Sequence, residues 1–293
     1  MKKILITVLL IPILTIIIAL TTYNIELNDY LNQEEHPASK NNKINELTTE
    51  VFIIGTTHFE TDAIKRHHFY QYLDSISPTV ILYEGDSSTV RRIVKKTDYF
   101  SRFMDAFKKG KRVEKPVVLK YLKNNPDCML LPYEWELRNK YHRKHKLRKR
   151  SKEMLNMVIR LYRDSLLTKD QSEIVHKFLN LNNTLLNIDN GTVKDLNNIT
   201  TDSILKKRQH YVYKDIPEIA KERKELVKYY DFIPIHMSYW DTRNKAMAQN
   251  ILKQIQHNPS KTIVVLTGSY HRYYLIEELK QYESDYDFSV KSI

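Results

Sequence analysis

The chain has 293 residues, with 47 Lys and Arg against 35 Asp and Glu, a net charge of +12 and 42% apolar residues. That length suits one large domain or two small ones, with enough apolar residues to bury a core. Only 5 Gly are present and neither G-x-x-x-x-G-K-[ST] nor G-x-G-x-x-G occurs, which argues against a Gly-rich phosphate loop. The single cysteine, Cys128, excludes an internal disulfide.

The chain opens on Lys2 and Lys3, followed by an apolar stretch from Ile4 to Leu20 broken only by Thr7, Pro12 and Thr15. The stretch is near the length that crosses a bilayer, and flanking lysines place the amino terminus in the cytoplasm. Residues 1–24 are therefore expected to be a membrane anchor, or a signal segment if cleaved. Ala19-Leu20-Thr21 is a poor cleavage site, which favours the anchor. Either way the rest of the chain is expected outside the cytoplasm. Residues 25–49 are polar, with Pro37, Ser39 and several Asn, and read as a linker.

Residues 50–136 read as the first part of an α/β core. Val51–Ile54, Thr79–Tyr83 and Met129–Leu131 are predicted strands. Asp62–Ser75 is a predicted helix with Ile64, Phe69, Tyr72 and Leu73 on its apolar face, and a second runs to Phe107 from a cap at Ser87 or Ser88. Pro116–Lys123 is a short third. Cys128 reads as a buried, inert thiol. Residues 137–235 carry no strong strand pattern and form a predicted helical insertion. Residues 236–293 return to the core: a helix over Tyr239–Gln256, a strand over Thr262–Thr267, a helix capped by Ser269, and an edge strand over Asp287–Val290. Strands alternating with helices predict a mostly parallel central sheet flanked by helices.

Two segments of this core share one shape. Val51-Phe52-Ile53-Ile54 leads into Gly55-Thr56-Thr57-His58, and Ile263-Val264-Val265-Leu266-Thr267 leads into Gly268-Ser269-Tyr270-His271. A Gly just past a buried strand permits a sharp turn, so both histidines are expected at carboxyl ends of strands, where open α/β sheets bind ligands. Between them Glu84 closes an apolar strand, where partial desolvation makes it a candidate general base or metal ligand. Arg243, on a late helix, has a fixed fork of donors that suits a carboxylate such as Glu84 or a developing oxyanion. His236, Glu134 and Glu136 are weaker candidates for the same site; His67 and His68 read as surface or packing residues.

Gly55-Thr56-Thr57-His58, Glu84, Arg243-Asn244 and Gly268-Ser269-Tyr270-His271 resemble the signature of the TraB/PrgY/GumN and Tiki families, related to the erythromycin esterases and ChaN-like haem-binding proteins. The resemblance covers about residues 50–90 and 236–293. It implies a hydrolase-like site built on Glu84, His58, His271 and Arg243, with a divalent metal in the Tiki proteins. Two imidazoles and a carboxylate suit zinc or manganese, with His58, Glu84 and His271 as ligands. Tyr270 departs from the pattern, where relatives carry a small residue.

These readings predict an extracytoplasmic, membrane-tethered hydrolase acting on a peptide or a small-molecule ester. The alternative is a non-catalytic protein on the same scaffold that sequesters a peptide or a haem-like ligand. Residues 138–164 hold eleven Lys or Arg and two acidic residues. This run reads as a solvated helical face or as a contact for an anionic surface. No nucleic-acid-binding motif accompanies it, so nucleic acid is not expected as a partner.

Overall fold

The structure is a computed structural model that describes residues 2–32, 48–95 and 111–291, and only the backbone of residues 2–14 and 16. Five parallel strands form one sheet: β1 Thr49–Thr56, β2 Val80–Tyr83, β3 Met129–Pro132, β4 Thr262–Gly268 and β5 Phe288–Lys291, in the order β3-β2-β4-β1-β5. All four core strands expected from the apolar runs are present, and the last segment is an edge strand. Side chains alternate across the sheet with period two. Ile54, Ile81, Val264 and Leu266 face one layer, while Val51, Ile53, Leu82 and Val265 face the other.

Each face is covered by helices. Helices α2 (Arg66–Ile76) and α4 (Glu114–Asn124) pack on the first face through Phe69, Leu73, Val117 and Val118. The second face is covered by α11 (Ile233–His257), through Met247 and Ile251, and by α12 (Ser269–Lys280), through Leu275 and Leu279. From β1 the chain passes by α2 to β2, beyond β4; from β4 it passes by α12 to β5, beyond β1. The two connections leave neighbouring strands in opposite directions and on opposite faces. The crevice at the carboxyl ends of β1 and β4 is thus a topological switch point, the place where open α/β sheets take ligands.

Between β3 and β4 lies the helical insertion: α5 (Arg138–His145), α6 (Leu147–Arg163), α7 (Lys169–Asp189), α8 (Val193–Leu196), α9 (Ile199–His210), a π turn at Tyr211–Asp215 and α10 (Ile216–Glu222). It has its own apolar centre, with Met154, Val158, Val175, Phe178, Ile219 and Phe232. One of its side chains completes the sheet. Strand β5 pairs with β1 only as far as Phe52. Beyond it, Asn197 accepts from Gly55 N at 2.6 Å and donates to Gly55 O at 3.0 Å, standing in for a strand neighbour.

Helix α1 spans Lys2–Asn32, so the stretch expected as a linker begins as helix, and Leu27 and Tyr30 are buried against the core. Glu26 pairs with Lys111, just ahead of α4, and Lys123 at the end of α4 donates to Asn32 at 2.6 Å. The two helices therefore run the same way, and the amino-terminal part of α1 leaves the core at the carboxyl edge of the sheet. Among the described residues no helix is long and apolar enough to cross a membrane; the run expected as an anchor lies largely outside the described side chains.

Two caps differ from expectation. Helix α3 (Ser87–Val94) is capped by Asp86, whose side chain accepts from Thr89 N at 2.8 Å, rather than by Ser87 or Ser88. Its expected continuation to Phe107 lies outside the described residues from 96 onward. Ser269 does not cap α12: Gly268 holds that place without a side chain.

Candidate functional site

The Gly-x-x-His repeat brings its residues to one end of three adjacent strands. His58 follows β1, Glu84 ends β2, and Gly268 ends β4 with His271 in the first turn of α12. The three expected site residues do not share one ligand position, however. Arg243 stands between them, and they divide into a buried cluster and an accessible pair.

Arg243 is the hub of the buried cluster. Its Nη2 donates to Glu84 Oε1 at 2.7 Å and to Glu134 Oε2 at 2.6 Å, and its Nε to Glu134 Oε1 at 3.1 Å. Its Nη1 lies 2.6 Å from His271 Nε2. A guanidinium only donates, so that nitrogen of His271 is the acceptor. The other ring nitrogen, Nδ1, donates to Asn244 Oδ1 at 2.6 Å, and the Asn244 amide is oriented by its own bond to Trp240 O at 2.7 Å. The tautomer is thereby fixed. Burial and the Arg243 charge push the His271 pKa down to about 3, so the ring is neutral, and Trp240 stacks on it at 4.5 Å. Asp241, two residues ahead of Arg243 on the same helix, pairs with Lys214.

Glu84 has both oxygens engaged. Besides Arg243, Gly268 N donates to Oε2 at 2.6 Å and Thr267 Oγ1 at 3.2 Å. Burial alone would raise its pKa, but the charges of Arg243 and His58 and the Gly268 N–H outweigh this and hold it well below the usual carboxylate range. A carboxylate stabilised this far is a weak base, so the general-base role considered for Glu84 has little support in its surroundings.

The metal reading fares no better on donor chemistry. Neither ring nitrogen of His271 is open to an ion, and a guanidinium occupies the approach to Nε2. Among the described residues no group of three or more His, Cys, Asp or Glu side chains is placed to hold a metal ion. Glu84 and His271 are held here by the Arg243 guanidinium, and His58 is held by Glu114 instead.

His58 is the accessible member, its side chain 52% exposed. It has a left-handed backbone, φ 62°, rare for a side chain of this size and a common mark of functional strain. Its Nδ1 lies 2.5 Å from Oε1 of Glu114, a carboxylate that sequence reasoning missed. Glu114 opens α4, where the helix dipole favours an anion, and Thr56 also donates to it. Its segment is docked against the turn of His58: Val113 N donates to His58 O at 3.1 Å, and Arg112 bridges Phe59. The one signal in the sequence was a lone acid opening a helix within a basic run, Lys108 to Lys115. Burial disfavours the His58 imidazolium, but the hydrogen bond and charge of Glu114, with Glu84 beyond, raise its pKa to about 9. The other ring nitrogen, Nε2, lies over Gly268: a Cβ there would come within 2.8 Å of it.

His58, Glu84 and Glu114 line a cleft of about 540 Å³ with Tyr83, Leu266 and several cations. That is the size of a small-molecule site. Of the weaker candidates, His236 and Glu136 fall elsewhere. His236 is a satisfied core residue, between Ser151 Oγ and Val212 O at 3.0 Å each, and burial lowers its pKa to about 4. Glu136 accepts from Ser87 N at 3.0 Å and anchors the start of α3. Glu134 belongs to the site as the second carboxylate on Arg243. His67 and His68 touch each other with their rings tilted 57° at the start of α2. Tyr270 lies under the Arg208 guanidinium, away from the cleft lining.

In comparisons with known proteins, no family model matches this chain, no curated protein matches it, and no solved structure matches it.

Proposed function

We propose that this chain is a membrane-tethered hydrolase of an ester or peptide bond, with His58 as general base and Glu114 as the group that orients it. The observation that carries the reading is the half-exposed His58, paired through Nδ1 with a buried carboxylate and lining a cleft at the switch point of a parallel sheet. Its hydrolase class also agrees with what the motif resemblance implies.

The chemistry follows from the geometry. Neutral His58 takes a proton from water at Nε2, while Nδ1–H stays on Glu114 and holds the ring in its tautomer. The water oxygen adds to the carbonyl carbon, and the oxygen charge that develops faces Arg138 and Arg112 on the cleft wall. The imidazolium then returns its proton to the leaving alkoxide or amine as that bond breaks. Glu84, Arg243, Glu134 and His271 touch no reacting atom in this scheme. They are positioning residues: Glu84 fixes Gly268, and Gly268 supports the ring of His58.

The tether reading rests on the lysines and apolar run of residues 2–20. Because α1 leaves the core at the carboxyl edge, a tethered domain presents the cleft on the side of the membrane, outside the cytoplasm. A sequestering role on the same scaffold is favoured by one observation: Glu84 and His271 are engaged by Arg243, Gly268 and Asn244, which leaves His58–Glu114 as the one open pair among the candidate residues described.

Turnover separates the two. The full chain in neutral detergent is assayed against nitrophenyl esters and a peptide library, beside His58→Gln. The hydrolase reading expects product from wild type and a loss of about two orders of magnitude or more in the variant. Ligand retention without product, equal in both proteins, would replace it with sequestration.

A further inference from the structure

We propose that the cleft receives an anionic group of the substrate, a carboxylate or a phosphate, held by Arg92 and Arg148 beside the bond to be cleaved. The proposal rests on the hydrolase reading for the bond but on separate residues for the anion. Five cations line the cleft, Arg92, Arg112, Lys115, Arg138 and Arg148, against two carboxylates, Glu84 and Glu114.

Those carboxylates are already matched. Glu84 shares Arg243 with Glu134, which also takes Arg138 at 2.7 Å, and Glu114 is paired with His58. Two acids, Glu84 and Glu134, thus face two guanidinium groups, Arg243 and Arg138. Of the other four cations, Lys115 is buried and Arg112 lies over the Phe59 ring, which leaves Arg92 and Arg148. Both are exposed. Arg92 has only neutral partners, Ser88 O at 3.2 Å and Thr89 Oγ1 at 3.3 Å, both on its own helix. Neither arginine has an ion-pair partner among the described residues.

Their placement argues against a merely solvated pair. Arg92 comes from α3, which follows β2, and Arg148 from α6 in the insertion, yet both reach the cleft that His58 lines. Two guanidinium groups from separate elements, over a site whose acids are neutralised, form a field that concentrates anions, and their planar forks suit carboxylate or phosphate oxygens. A cationic substrate would meet the same field as a barrier. The anion can be soluble, or a lipid headgroup, since α1 leaves the core on the cleft side.

The test uses the full chain in neutral detergent and three activated esters of similar size: nitrophenyl butyrate, the nitrophenyl half-ester of succinate, and a nitrophenyl ester with a trimethylammonium tail. Wild type is expected to favour the succinate half-ester over butyrate by about tenfold or more in kcat/KM, the scale of one charge-assisted hydrogen bond. The cationic ester should be slowest. In Arg92→Gln/Arg148→Gln the succinate advantage should vanish. In Lys144→Gln/Lys152→Gln, which removes equal charge from exposed residues that do not line the cleft, it should persist. Equal rates for succinate and butyrate in wild type, or an advantage that survives in the arginine variant, would overturn the proposal.

A binding arm separates this from the hydrolase reading. Calorimetric titration with succinate and with inorganic phosphate should show binding to wild type that is about tenfold weaker in the arginine variant. If no ester is turned over but this difference holds, the hydrolase reading fails and the anion site stands. If neither anion binds in detergent, phosphatidylglycerol vesicles are titrated instead. Binding there that weakens in the arginine variant assigns the anion to a headgroup, and its absence overturns the site.

Discussion

His58 Nδ1 and Glu114 Oε1 meet at 2.5 Å across 56 residues of chain, joining the turn after β1 to the first turn of α4. This pairing predicts a spread of histidine pKa values that nuclear magnetic resonance can read, each resonance assigned by a His→Gln variant. His58 should titrate near 9, His236 near 4 and His271 near 3. A His58 titration near the ordinary value of about 6.5 would mean that Glu114 does not hold it in solution.

The two glycines of the repeated motif should answer differently to alanine. Gly268 has ordinary dihedrals, φ −59° and ψ 136°, and the atom in the way is the His58 ring, so Gly268→Ala should fold with a stability change of about 1 kcal/mol or less. Its turnover should fall by about a hundredfold through displacement of that ring. At Gly55 a Cβ would meet Ser269 Cα at 3.0 Å, a backbone atom, so Gly55→Ala should lose about 1–3 kcal/mol by overpacking. Denaturant midpoints and turnover, measured on both variants, check the contrast. A normal rate in Gly268→Ala would remove His58 from the reaction.

Removing the Arg243 guanidinium should cost stability in a pH-dependent way. Arg243→Met leaves Glu84 and Glu134 buried without their shared cation, a loss of about 3–5 kcal/mol at neutral pH. In wild type the folded Glu84 pKa is depressed, so its stabilisation is present above the unfolded value of about 4.3 and is lost as pH falls through the folded one. In the variant, burial without the cation raises the Glu84 pKa, so the folded state binds more protons and the deficit should shrink from pH 7 to about pH 5. Urea unfolding at both values measures it. A deficit independent of pH would show that the cluster is not held by charge.

The tether predicts an orientation. With Lys2 and Lys3 inside, protease added to intact spheroplasts should digest the domain. Protection until the membrane is broken would place the domain in the cytoplasm.

Much of the fold was legible because three β-branched apolar runs of strand length, followed by Gly55, Glu84 and Gly268, mark buried parallel strands and their carboxyl ends. The placement of His58, Glu84 and His271 at neighbouring strand ends follows from that pattern. What the pattern omits is direction at the scale of a side chain. Nothing in Gly268-Ser269-Tyr270-His271 says that α12 turns His271 inward to Arg243 and Asn244 while the strained turn at His58 faces out. Glu114 was hidden for another reason: it reaches His58 by a non-local bridge, Phe59 to Arg112, that no local periodicity encodes. Ser87 and Ser269 were natural choices for caps, but Asp86 and Gly268 stand one place earlier and took the position.

The most direct test of the account is kcat/KM against pH for one ester, in wild type and Glu114→Gln. A base acts when deprotonated, so with the His58 pKa near 9 the wild-type rate should rise about tenfold per pH unit from 7 and level off near 9. In Glu114→Gln the charge that raises that pKa is gone, so the rise should move down toward about pH 6.5, to a plateau about two orders of magnitude lower once the ring is no longer oriented. The same limb at the same pH in both proteins would contradict the pairing of His58 with Glu114 as the working centre of this site.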